Sequence, residues 1–156
     1  MKENESQTME KETQMITEAK KHHTVKNISL SSNVPSKGYA WVGSIWKVGE
    51  LKKEREIGQV IIIDTTFIET YNFQFIAREN RLLTQADIDH VIVNEKTLKS
   101  LNYDSPQAAL EQDLIVDDDT VIIVGVIKNM YWSSLKSAHE PMLYALDPQY
   151  CAFYSI

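Results

Sequence analysis

The sequence predicts an α+β domain built on a mixed β-sheet with short helices, and three observations lead there. Two β-branched runs, Val60-Ile61-Ile62-Ile63 and Val121-Ile122-Ile123-Val124, read as buried strands. Short polar-capped segments, such as the one at Asn94-Glu95 and the one at Ser105-Pro106, open brief helices. Strands and helices do not alternate strictly, which argues against a doubly wound fold. With 156 residues there is room for one domain, and two lobes are the alternative reading.

Along the chain, residues 1–8 carry no apolar anchor, and 9–21 favour helix. Met9, Ile16, Ala19 and His23 recur there at helical spacing with Glu and Lys opposite. That stripe is weak, so the helix is expected to pack only through its C-terminal half. Val25, Ile28 and Leu30 predict a strand, followed by a loop over 31–38. Strands are expected over 39–48, which contains Trp41 and Trp46, and over 57–63. Asp64 is placed to cap a helix through Thr70, because its carboxylate can accept a first-turn N–H. Phe73 to Ile76 predicts a brief strand, and Thr84 to Asp87 a turn of helix. His90 to Val93 reads as a short buried strand. Asn94 then caps a helix running to Leu101, with Glu95 favourably placed against the helix dipole. Ser105 caps the next helix, with Pro106 at its first position ahead of Ala108-Ala109-Leu110. Leu114–Val116 and Thr120–Lys128 predict a hairpin around Asp117-Asp118-Asp119, and further strands are expected over 142–146 and 152–156. Gly125, inside an apolar strand, marks a bulge or a close backbone approach.

Composition removes several function classes. Acidic side chains number 22 against 16 basic ones, for a formal net charge of −6. No Lys/Arg cluster offers the basic face that a nucleic acid needs. The same acidic excess disfavours anionic lipid. Cys151 is the only cysteine, so no intrachain disulfide can form. The apolar runs fall far short of the roughly 20 residues that cross a bilayer. Residues 1–12 are polar, with no apolar stretch behind a basic start, so no secretory signal opens the chain. Taken whole, the chain reads as soluble and cytoplasmic; taken as a piece of a longer protein, its compartment stays open.

Candidate chemistry is sparse. No Gly-x-Gly-x-x-Gly and no Gly-rich phosphate loop ending in Lys-Ser/Thr occurs, so the chain carries no nucleotide-binding or ATPase machinery. His22 and His23 would point about 100° apart on a helix and cannot share one ion comfortably, while His90 and His139 stand alone. Asp87-Ile88-Asp89-His90 could donate to a metal, but a polar turn ahead of the strand is the expectation. Asp117-Asp118-Asp119 lacks the spaced donors of a calcium loop and reads as a hairpin tip. Cys151 lies among Tyr150, Ala152, Phe153 and Tyr154, the setting of a buried, inert thiol. No Gly-x-Ser-x-Gly elbow is present, and Ser133-Ser134 near His139 is proximity in sequence only. No catalytic residue, cofactor site or metal site is therefore assigned. Trp41, Trp46 and Trp132, together with Tyr131, are candidate partner contacts, since aromatic side chains anchor interfaces. Packing in the core is the competing and favoured reading of the same side chains. Loop 33–40 is a further candidate contact.

Several segments recur in a telling order over residues 15–156. Val25 to Leu30 leads into a loop reaching Pro35, and Asp64 precedes Phe67-Ile68-Glu69-Thr70-Tyr71. The apolar strand Val91-Ile92-Val93 ends in Asn94-Glu95, and Ser105-Pro106 precedes Ala108-Ala109. A late strand closes with Gly125-Val126-Ile127-Lys128, and Ser134-Leu135 precedes Glu140-Pro141 in a return loop. Taken together these resemble the MacB-like periplasmic core domain of FtsX-like permeases of the ABC-transporter superfamily. The chain departs from that pattern at Ala77-Arg78-Glu79-Asn80, Ala109-Leu110-Glu111 and Lys128-Asn129-Met130, where glycines and an aspartate are usual.

The resemblance implies an extracytoplasmic, periplasmic domain lying between the first two transmembrane helices of a permease. Residues 1–22 would be a tail and juxtamembrane helix, and 23–156 the core domain. It implies no catalysis and no cofactor in this domain. The implied partners are an ABC ATPase subunit or domain, reached through the membrane part, a second permease copy in a homodimer, and an extracytoplasmic adaptor or substrate. Pro35, Asp64, Asn94, Glu95, Pro106, Gly125 and Pro141 are implied to be structural motif residues. ATP-driven motion of the membrane helices would then reach the partner by rigid-body movement. A ligand-sensing module, free-standing or membrane-tethered, is the alternative, and it requires a sizeable apolar pocket with a few convergent polar groups. A small hydrolase comes third, and requires a buried, perturbed acid or histidine in a cleft.

Overall fold

Short strands linked by tight turns make up most of the chain in a computed structural model that describes residues 14–35, 40–51, 55–84, 86–132 and 139–156. Helix α1 covers residues 14–20. Strands β1 (Ser29–Ser31), β2 (Trp41–Lys47) and β3 (Glu56–Ile63) follow, then helix α2 (Thr65–Thr70) and β4 (Phe75–Arg78). Strand β5 (His90–Asn94) runs straight into α3 (Glu95–Ser100), and α4 (Pro106–Ala109) comes next. Strands β6 (Asp113–Val116), β7 (Asp119–Ile127), β8 (Met142–Leu146) and β9 (Phe153–Ser155) complete the order. The part of the predicted N-terminal helix before residue 14 lies outside the described residues. Thr84 and Asp87 form a turn closed by the Asp87 N–H on the Thr84 carbonyl at 3.1 Å, in place of the helical turn expected there.

The strands form one mixed sheet whose main path is β2-β6-β7-β5-β8-β3, and β3 then pairs back to β2. That last pairing closes six strands into a barrel. Contacts β5–β7 and β3–β8 are parallel, and the other four around the ring are antiparallel. Strands β1 and β9 continue from the end of β3, and β4 lies along β7 beyond β6.

Closure gives every strand an inner and an outer face, so alternate residues sort into two cores. Ile45, Val60, Val91, Val93, Leu114, Val116, Ile123, Val126 and Leu143 fill the inside. Ile61, Ile63, Ile92, Val124, Ile127, Met142, Tyr144 and Leu146 face outward and are covered by Phe67 of α2, Phe73 and Trp132. The covering layer is aromatic. Phe67 stacks on Tyr71 at 4.1 Å, and Phe73 meets Tyr144 edge-on at 4.7 Å. Leu98 of α3, Leu101 just after it and Ala109 of α4 join the inner core, and so plug the end of the barrel where β5 finishes.

Two glycines make this packing possible. Gly43 faces Gly58 across the β2–β3 closure, and a Cβ on Gly58 would collide with the fully buried Ile45 side chain. At Gly125, Val91 pairs with Ile123 and Ile92 with Gly125, so one residue of β7 is extra. A Cβ there would lie 2.7 Å from the Phe75 ring. The bulge and the close approach expected of this glycine therefore occur together.

Helix starts follow the expected caps. Asp64 Oδ1 accepts from the Phe67 N–H at 2.8 Å, Asn94 Oδ1 from the Thr97 N–H at 2.9 Å, and Ser105 Oγ from the Ala108 N–H at 3.1 Å. Burial pushes the Asp64 carboxyl above its ordinary value, against the opposing pull of the backbone N–H groups it caps. Helix α2 ends at Asn72 (φ 49°) and α3 at Asn102 (φ 53°). Each donates to a carbonyl three residues back, and the next N–H reaches five back, which is the Schellman pattern.

Asn94 does more than cap. Its buried Oδ1 also accepts from the Thr97 hydroxyl at 2.8 Å and the Met142 N–H at 3.1 Å, while its Nδ2 donates to the Glu140 carbonyl at 2.8 Å. Glu95 Oε2 accepts from the Asn129 N–H at 3.2 Å, and Asn129 Oδ1 accepts from the Lys96 N–H at 2.9 Å. These bonds tie the end of β5, the start of α3 and the start of β8 into one unit. Replacing Asn94 by Ala strips a cap and leaves buried donors unmatched, so a loss of about 2–4 kcal/mol is expected in urea unfolding. Asn94→Asp keeps the accepting oxygen but sets a second carboxyl oxygen against the Glu140 carbonyl in a buried site, so it too should be less stable than the parent, and more so as the carboxyl ionises. An Asp variant as stable as the parent would rule out a role for the Glu140 contact.

Candidate functional site

The two ends of the barrel differ. Helices α3 and α4 close one. At the other, strands β3, β6 and β8 finish and β2, β5 and β7 begin, and a cavity of about 580 Å³ opens there. Val60, Val91, Val116, Val121, Leu143 and Ala145 form its throat, so it is the inner core reaching solvent. Ile62, Trp41, Ile88 and Tyr150 stand around the rim with Thr120. Trp41, Ile88 and Tyr150 are 54%, 58% and 63% exposed, which is unusual for side chains of this size. Three carboxylates, Asp89, Asp119 and Asp147, share the lining, and among the described residues no Lys or Arg does.

The rim is held by local polar bonds. Asp87 Oδ2 accepts from the Thr84 N–H at 2.6 Å and hydroxyl at 3.0 Å, and Oδ1 accepts from Arg81 Nη1 at 2.8 Å. The Thr84 backbone N–H, reinforced by Arg81, draws the Asp87 carboxyl down from 3.8 to about 2. With Asp87 pinned inward, Ile88 is presented to solvent and the Asp89 carbonyl accepts from the Ile122 N–H at 2.8 Å. The Asp87–His90 stretch is thus the polar turn expected of it. On the other side, Asp117 (φ 57°) places Oδ1 2.8 Å from the Ser44 N–H and locks the β6–β7 tip onto β2.

The structure disperses the three tryptophans. Trp41 is at the rim, whereas Trp46 and Trp132 are only 6% and 5% exposed. Trp41 is therefore the one of these three candidate contacts left open to solvent. Trp46 neighbours the inward Ile45 on β2 and therefore lies on the opposite face, which is itself covered. Trp132 packs 6.3 Å from Phe67 and 6.1 Å from Tyr144 in the outer core. Tyr131 is exposed and meets His139 at 4.5 Å. Residues 36–39 of the candidate contact loop, and Ser133, Ser134 and Leu135, lie outside the described residues. Pro35 and Pro106 are half-buried at a turn and a helix start, and the Pro141 carbonyl accepts from the Gln59 N–H at 2.8 Å. Cys151 is half-buried. Burial first, then Asp64 and Asp147, pushes its thiol up to about 12, which keeps it protonated and unreactive.

Among the described residues, no group of three or more His, Cys, Asp or Glu side chains is placed to hold a metal ion. No helix among them is long and apolar enough to cross a membrane. A second, more polar hollow of about 340 Å³ lies beside α2, lined by Glu69, Arg78, Glu79 and Arg81 among others. Its Arg81 is already engaged by Glu79 at 2.6 Å and Asp87 at 2.8 Å. Sequence reading did not single out Ile88, Tyr150 or Asp147 as site residues; the only local signal was an apolar residue flanked by aspartates at 87–89.

Two predictions follow from this layout. Trp46→Ala and Trp132→Ala should each destabilise the domain by about 3–5 kcal/mol, and Trp41→Ala by less than about 0.5 kcal/mol, read by chemical denaturation. A folded-state value below the ordinary one means that Asp87 contributes stability above about pH 4. That contribution disappears as pH falls from about 4 through about 2. Asp87→Asn should therefore be less stable than the parent at pH 7, with the gap closing on acid titration.

No protein-family model and no curated protein sequence matches this chain. Solved structures do. The periplasmic region of MacB from Actinobacillus actinomycetemcomitans superposes with a TM-score of 0.55 at 14% identity, covering 83% of this chain and 53% of that one. The extracellular domain of YknZ, a noncanonic ABC-type transporter from Gram-positive bacteria, matches with a TM-score of 0.55 at 15% identity, covering 83% and 59%. The chain thus spans little more than half the length of either. Identities this low establish fold, and the fold is that of a MacB-like periplasmic core domain.

Proposed function

We propose that this chain is the extracytoplasmic domain of an ABC-type permease, held on the periplasmic side of a bacterial inner membrane. It carries out no chemistry. It passes ATP-driven motion of membrane helices to a partner or substrate outside the membrane. What supports this reading is the fold shared with the periplasmic region of MacB and the extracellular domain of YknZ, in which β1 pairs with β9 in this chain. Ser29 lies opposite Ser155, and Tyr71 Oη sits 2.8 Å from Ser155 Oγ. Strands β1 and β9 thus lie side by side at one edge of the sheet. Their pairing lies beyond the end of β3, the same end at which the barrel mouth opens. On this reading residues 1–22 are a tail and juxtamembrane helix, and 23–156 the core domain. An ABC ATPase, a second permease copy and an extracytoplasmic adaptor or substrate are its partners.

Mechanical transmission needs a body that moves without deforming. A closed barrel has no free edge within the ring, and the Asn94 node fixes its plugged end. The cavity of about 580 Å³ supports a second reading, a ligand-sensing module whose ligand occupies the mouth. A ligand that binds only the native state raises its melting temperature, so a thermal-shift screen separates sensing from transmission.

Fractionation of source cells, with an antibody raised against this domain, tests the main reading. A membrane-bound band much larger than 17.9 kDa, cleavable from outside the cytoplasmic membrane, is expected. A soluble band near 17.9 kDa would overturn it.

A further inference from the structure

We propose that the open mouth of the barrel is the docking site for a basic, apolar polypeptide segment of the extracytoplasmic partner. The idea takes the existence of such a partner from the preceding reading; the chemistry of the segment comes from the mouth alone.

The cavity of about 580 Å³ has a throat of Val and Leu side chains and a rim of large exposed apolar groups. Such a surface gains free energy on covering, at roughly 25 cal/mol for each Å² of apolar area removed from water. Charge selects among possible covers. Asp89, Asp119 and Asp147 line the mouth and, among the described residues, no Lys or Arg does; Asp89 lies 2.6 Å from His90 Nδ1, while Asp119 and Asp147 face the opening on a chain whose net charge is −6. A second copy of this chain would bring the same three carboxylates against these, because an isologous contact sets like against like. Anionic lipid headgroups are repelled for the same reason. Lys or Arg beside Leu or Phe meets both demands. The cation approaches the aspartates and can lie over the Trp41 or Tyr150 ring, while its neighbour enters the throat. Polypeptide is the form of partner that supplies several such groups at fixed spacing along an open rim.

Trp41 provides the readout, because it is the exposed indole while Trp46 and Trp132 are buried. The intact chain is titrated with an acetylated, amidated peptide of about ten residues alternating Lys with Leu and Phe. A matching peptide carries Glu in place of Lys. Dodecylammonium and phosphatidylglycerol vesicles are run as separate probes. The expected result is a saturable blue shift of the indole emission with the Lys peptide alone, weakened by salt. Asp119→Asn with Asp147→Asn should weaken it on the order of tenfold. Far-UV circular dichroism and the melting temperature of this variant should match the parent, since Asp119 is exposed and Asp147 half-exposed. Equal response to the Glu peptide, or undiminished binding by the double variant, overturns the proposal. Response to dodecylammonium without the peptide overturns it in favour of a small-molecule pocket, and response to vesicles alone in favour of a membrane surface. Silence with every probe overturns it as well. None of these results bears on the membrane location of the full protein, which fractionation tests separately.

Discussion

A single buried amide organises the closed end of this barrel. Asn94 ends β5, caps α3 and reaches across to the start of β8, so one side chain sets the relation of three elements that are far apart in sequence. Each of its bonds would be modest alone, but those to Thr97 and Met142 are buried, where an unmet partner costs far more than a met one contributes. The return loop through Glu140 and Pro141 is drawn in by the same group, and Gln59 on β3 bonds to the Pro141 carbonyl. With this end fixed, the inner residues of six strands share one axis.

The opposite end follows from the same arrangement. Once α3 and α4 have plugged one opening, no comparable element of the described chain is left to seal the other. Two of the polar groups at that end are spent on holding their own turns. Asp87 is consumed by Thr84 and Arg81, and Asp117 by Ser44. Among the described residues, Trp41, Ile88, Tyr150, Asp119 and Asp147 stand around the opening with Thr120. The described chain is thus a closed ring with one sealed and one open end.

Local features were legible in the sequence to a large degree. The caps at Asp64, Asn94 and Ser105, the β-branched strands and the bulge at Gly125 rest on interactions within a few residues, and each is where the sequence places it. The Asn72 and Asn102 helix stops follow the same kind of rule, since an asparagine tolerates positive φ, and could have been found by it. The tryptophans show the limit. Trp41 and Trp46 lie on one strand and look alike in sequence, yet one is solvent-exposed and the other buried. Which of them packs depends on what lies across the sheet, and no local pattern records that.

The sequence by itself determined the α+β class, the order of the strands and short helices, and the absence of any nucleotide loop or disulfide. It did so because period-2 apolar runs, capping side chains and single-residue counts are properties of contiguous chain. Tertiary structure alone decided that β2 pairs with both β6 and β3. The ring therefore closes, and valines, a tryptophan, a tyrosine and three aspartates from separate segments meet at one mouth. Those residues converge only through long-range strand register. Register is set by the fit of two buried faces at once, and it has no expression in any single stretch of sequence.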